Sequence, residues 1–137
     1  MTNVSKNKLS GQELDKLFAQ FEKVISSLDN KTSSPFLNEL LGQEEKIMLA
    51  KRLCAVVMYI EDNSSYQVWQ LLHISPTTAN KIRLDYEIGK YKIIENVLKS
   101  NKTKYLELWN VLEVILQAKM PPRGKGRWKS AIKSLKR

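Results

Sequence analysis

Apolar residues recur at spacings of three and four along most of this chain, and no stretch alternates as a strand would. Leu14, Leu17, Phe18, Phe21, Val24, Ile25 and Leu28 form one stripe, which predicts an amphipathic helix from Ser10 to about Leu28. The polar run from Asp29 to Pro35 breaks it. A short helix from Phe36 to Leu41 is stopped by Gly42, and a long one runs from about Gln43 to Ile60. After Leu53 the long helix reads Cys54-Ala55-Val56-Val57-Met58-Tyr59-Ile60 and offers no polar face. A helix apolar all round must be surrounded. A chain of 137 residues has few elements of its own to do this, so an intertwined homodimer is expected ahead of a helix wrapped by its own chain.

Residues 64–84, SSYQVWQLLHISPTTANKIRL, predict two short helices joined by a tight turn. Ser64 can cap the first, with Gln67 reaching back from three residues on to complete a capping box. Ser75 can cap the second, where Pro76 suits the first turn because its missing N–H would be unpaired there. Val68, Leu71 and Leu72 face a core from the first helix, and Ala79, Ile82 and Tyr86 from the second. Thr77, Asn80, Lys81 and Leu84 then fall on the opposite face. This is the pattern of a helix-turn-helix, at about 64–87, whose second helix lies in the DNA major groove. The turn lacks a glycine, and Trp69 stands where a small residue usually lets the two helices cross closely.

Farther on, Gly89 ends the second helix, and Tyr91, Ile93, Ile94, Val97 and Leu98 predict another short one. A helix from Lys102 to Lys119 carries Tyr105, Leu108, Trp109, Leu112, Ile115 and Leu116 on one side and ends before Pro121-Pro122. The class is all-α. One helical domain spans 1–119, with residues 1–8 expected to lack fixed structure and 120–137 forming a basic C-terminal tail.

Charge sharpens this division. Of the net +9, seven charges lie in residues 120–137, which contain no acid, and two in the first 119 residues. A nearly neutral body with a strongly basic end favours polyanions through counterion release. The single Cys54 sits in an apolar run and reads as a buried thiol of a reducing cytoplasm. No apolar run approaches membrane-spanning length, and the first 17 residues hold no signal core. His73 is the only histidine, and Gly124-Lys125-Gly126 lacks the frame of a phosphate loop. Glu44-Glu45 and Glu107-Glu113 are spaced as solvated helix residues. No catalytic residue, metal ligand or cofactor is expected.

The segment FLNELLGQEEKIMLAKRL, followed by the helix pair and SPTTANKI, resembles the Trp repressor family, and more closely the small Trp-repressor-like bacterial regulators. The shared features are Phe36-Leu37-x-x-Leu40-Leu41, the acidic helix start at Glu44 and Glu45, Leu49-x-x-Arg52, and the helix-turn-helix beyond. The resemblance covers about residues 36–98. It implies an interlocked helical dimer that presents paired recognition helices to two half-sites about one helical turn apart. The N-terminal helix, the 102–119 helix and the tail lie outside the resemblance or match it only loosely.

Together these features predict a sequence-specific transcriptional regulator, expected to act as a repressor, that binds double-stranded DNA in the cytoplasm near the nucleoid. Thr77, Thr78, Asn80 and Lys81 are the candidates for reading bases. Asn pairs with adenine in bidentate fashion, Lys reaches guanine, and Thr touches a thymine methyl. Candidates for holding phosphates are Ser64, Ser65, Gln67, Arg83 and Lys90, with Arg123, Lys125, Arg127 and Lys129 of the tail. The alternative is a helical protein-interaction module, or a non-specific DNA- or RNA-binding one, in which the helix pair is only structural. Bulky Trp69 and apolar Leu84 speak for it.

The resemblance also implies where a tryptophan corepressor would sit. Arg52 matches the arginine on the long helix, but Lys81 stands for the second arginine and Gly42 for a threonine. Lysine lacks the planar fork of arginine, and glycine has no hydroxyl. Tight tryptophan binding is therefore not expected: tryptophan at millimolar concentration should leave the melting temperature unchanged, and a rise of several degrees would refute the inference.

Overall fold

The computed structural model describes residues 8–119, with side chains described as far as Ile115. The expected unstructured start, apart from Lys8, and the basic tail lie outside the described residues. Seven helices and no strand are present among those described. They fall into two compact units, the first ending at Met48 and the second beginning at Leu49.

In the first unit, α1 (Gly11–Ser26) begins with a complete capping box. The Ser10 hydroxyl accepts from the Glu13 N–H at 3.2 Å, and the Glu13 carboxylate accepts from the Ser10 N–H at 2.8 Å. The chain then turns on Asp29, whose Oδ1 accepts from the N–H groups of Lys31 and Thr32 and from the Thr32 hydroxyl. The next helix, α2 (Ser33–Leu40), starts three residues earlier than its apolar pattern predicts. Pro35 falls within its first turn, where backbone N–H groups have no helical partner to lose. Neither helix buries a residue. The α1 stripe stays open, with Leu17 and Phe18 each 55% exposed.

A third helix, α3 (Gln43–Ile60), runs through the boundary, and its halves differ. Ile47, Met48, Leu49 and Leu53 are exposed, whereas Ala55, Val56, Val57 and Met58 are 0% exposed. The second half shares one buried cluster with residues of α4 (Ser65–Leu72), α5 (Pro76–Glu87) and α7 (Lys102–Lys119). Residues 55–59 of the apolar stretch are therefore surrounded by their own chain, with Cys54 and Ile60 half-buried at its ends. The stretch does not itself require a second copy, contrary to the expectation from sequence.

Buried polar groups tie the cluster together. The Tyr105 hydroxyl on α7 donates to the buried Glu61 carboxylate at 2.9 Å, just past the end of α3. Burial pushes the Tyr105 phenol well above its ordinary range. On α6 (Lys92–Ser100), Glu95 is buried while Ile93 and Val97 are 79% and 60% exposed. The apolar spacing alone does not predict this rotation. Glu95 turns inward because it accepts from the Tyr86 hydroxyl at 3.4 Å and from Lys99 Nζ at 3.1 Å, with Lys92 3.9 Å away.

Two helices end in the same way with different residues. At the end of α3, the N–H of Asn63 donates to the Met58 carbonyl and that of Asp62 to the Tyr59 carbonyl. At the end of α5, Lys90 donates to Asp85 and Gly89 to Tyr86. Both are Schellman stops, which need a left-handed residue at the turning position. Gly89 fills one at φ 89°, but Asp62 fills the other at φ 66°, where a side chain crowds its own backbone. Asp62→Gly should therefore raise stability by about 0.5–1 kcal/mol in urea unfolding. A loss of stability would show that the carboxylate contributes to the fold.

Candidate nucleic-acid interface

Each predicted start signal of the helix pair is present. Ser64 Oγ accepts from the Gln67 N–H at 3.2 Å, and Gln67 Oε1 accepts from the Ser64 N–H at 2.9 Å. Ser75 Oγ accepts from the Thr78 N–H at 3.0 Å, and Pro76 opens α5. Between the helices, His73 takes the left-handed conformation at φ 54°, the place a glycine would fill. Lys51 Nζ on α3 donates to the His73 carbonyl at 3.2 Å, so a cation closes the end of α4. Trp69 is half-buried at the edge of the core and packs edge-on to Tyr66, with ring centroids 5.2 Å apart.

The inner face of α5 is locked to the core. Ala79 is 0% and Ile82 6% exposed. The Tyr59 hydroxyl donates to the Ala79 carbonyl at 2.7 Å, and the Tyr59 ring stacks on that of Tyr86 at 6.4 Å. Burial raises the Tyr59 phenol above its ordinary value, so it stays a donor at neutral pH. Tyr59 was legible in the sequence only as the end of an apolar run. Its hydroxyl is the signal that hydrophobic patterning passes over.

With that face fixed, Thr77, Asn80, Lys81 and Leu84 are presented outward, all exposed. Thr78 differs from its expected role. It is half-buried, and its hydroxyl accepts from Ser75 Oγ at 2.8 Å, which makes it part of the cap. Among the phosphate candidates, Ser64 is exposed and Ser65 half-buried, with Ser65 Oγ 3.3 Å from the Tyr59 hydroxyl. Gln67 is only 4% exposed and is occupied in the capping box, so it leaves that set. Arg83 lies 3.9 Å from Glu87, and Lys90 lies 3.5 Å from Asp85. Both cations remain largely open to solvent, and such surface pairs hold them weakly. Arg123, Lys125, Arg127 and Lys129 lie outside the described residues.

Among the residues whose side chains are described, no group of three or more His, Cys, Asp or Glu is placed to hold a metal ion. No described helix is long and apolar enough to cross a membrane. Burial raises the Cys54 thiol above its usual value and so disfavours the thiolate. The chain matches no protein-family model, no curated protein and no solved structure.

The hydrogen bond from Tyr59 gives a test of the scaffold. Tyr59→Phe should keep the helical fold, with an unchanged far-ultraviolet circular dichroism spectrum, and lose about 1 kcal/mol of stability. Exchange of the α5 backbone amides should accelerate more than that of α7. Uniform acceleration would mean that the bond holds no helix in particular.

Proposed function

We propose that this protein is a sequence-specific DNA-binding regulator of the Trp-repressor-like kind, a cytoplasmic repressor associated with the nucleoid. The observation that carries the reading is the two-sided character of α5. One side is fixed by Ala79, Ile82 and the Tyr59 hydrogen bond, and the other offers Thr77, Asn80 and Lys81 to solvent. A helix that reads base edges needs both properties, because its side chains must reach the groove from a rigid base. Leu84, 54% exposed, is the apolar exception on that outward face. On this reading Ser64, Arg83 and Lys90 are phosphate contacts, and the basic tail adds grip that is independent of sequence.

The working unit on this reading is a homodimer. Support for it comes from the open apolar surface. All six large apolar residues of the α1 stripe from Leu14 to Ile25 are at least 36% exposed, as are Leu37, Leu40, Ile47 and Met48 of the same unit. A surface of this extent normally marks an interface. A single helix of α1's length is also marginal in water without packing. A second copy would cover these residues and, by two-fold symmetry, set two α5 helices against two half-sites.

Selection from a pool of randomised duplexes at about 150 mM salt tests the reading. The expected outcome is one enriched site with two related half-sites about one helical turn apart. Asn80→Ala should bind that site about 1–3 kcal/mol more weakly and accept changes at one position of each half-site. Retention without enrichment would replace this reading with that of a non-specific DNA- or RNA-binding module. An Asn80→Ala protein as selective as the wild type would move the reading face elsewhere.

A further inference from the structure

The exit of α3, the start of α4 and the flank of α5 enclose a cleft of about 520 Å³, within the size range of small-molecule sites. Its lining includes Tyr59, Tyr86, Asp62, Arg83 and Glu87. Three observations define what it suits. First, its charge runs against that of the chain: two carboxylates face one cation, in a protein with 23 basic and 14 acidic residues. Second, neither carboxylate is firmly held. Glu87 lies 3.9 Å from Arg83 with both side chains about half exposed, and among the described residues the exposed Asp62 carboxylate makes no hydrogen bond or ion pair. Third, the tyrosine hydroxyls are already used, on the Ala79 carbonyl and on Glu95. What remains for a ligand is ring surface, chiefly that of half-buried Tyr86, since Tyr59 is 6% exposed and stacked on it.

Carboxylates beside aromatic rings form the chemistry that recognises organic cations, through ion pairing and cation–π attraction. Asp62 fits this further. It occupies the left-handed stop of α3, which Gly89 fills in the equivalent stop of α5, so a side chain is retained there at a conformational cost. We propose that the cleft binds a small organic cation of the short alkyl-diamine class. Its ammonium groups pair with Asp62 and Glu87, and its alkyl stem lies against the tyrosine rings. On binding it replaces Arg83 as the partner of Glu87.

The test uses the full-length protein and 1,4-diaminobutane, followed by calorimetry and by proton shifts of the tyrosine rings, with no DNA present. Its result is therefore independent of the proposed regulator function. Saturable binding is expected, with shifts at Tyr59 and Tyr86 and none caused by succinate, a dianion of similar length. Asp62→Gly should fold at least as stably as wild type and bind the diamine about tenfold more weakly or worse. Glu87→Gln should weaken it similarly. The proposal is overturned by lack of saturation at about 10 mM, by unchanged affinity in Asp62→Gly, or by succinate binding in preference.

Discussion

The orientation of the outward face depends on one buried hydrogen bond. A tyrosine hydroxyl at the end of α3 reaches the backbone of α5 at Ala79, in surroundings where an unpaired polar group is strongly disfavoured. Apolar packing holds α5 against the core, but packing tolerates small rotations, since many similar contacts replace those lost. A directed bond to a single carbonyl does not. Tyr59 thus sets the rotation of the helix about its axis, and with it which side chains face outward.

The same logic recurs at the two buried carboxylates. Glu61 and Glu95 are each met by a phenol, from Tyr105 and Tyr86. Each pair joins segments that apolar contact alone would allow to slide. The core is thereby specified at three points by polar groups of fixed geometry, with aliphatic side chains filling the space between them. Shape comes from the aliphatics, and register from the phenols.

Much of this was legible in the sequence, for definable reasons. The helix pair could be placed because its start signals, Ser64 with Gln67 and Ser75 with Pro76, are local and act within one turn. The bounds of α3 were legible from Gly42 and from the end of the apolar run. Three features were not. The inward turn of Glu95 depends on a phenol nine residues away and on lysines of its own helix, which spacing does not register. The surround of residues 55–59 depends on where α7 docks. Similarly, the engagement of the Thr78 hydroxyl by Ser75 is a local bond that competes with a distant one and that spacing does not register.

The Glu61–Tyr105 bond also has a bearing on the order of assembly. It joins positions 44 residues apart, whereas the helix pair closes within a segment of about half that span. Loop-closure entropy rises with the length of chain enclosed, so nearby contacts form first and distant ones reward the chain only afterwards. Docking of α7 then buries the Glu61 carboxylate and the Tyr105 phenol together in a late step. This chain is thus expected to fold from its middle outward, with the helix-turn-helix as the seed and α7 as the closing piece.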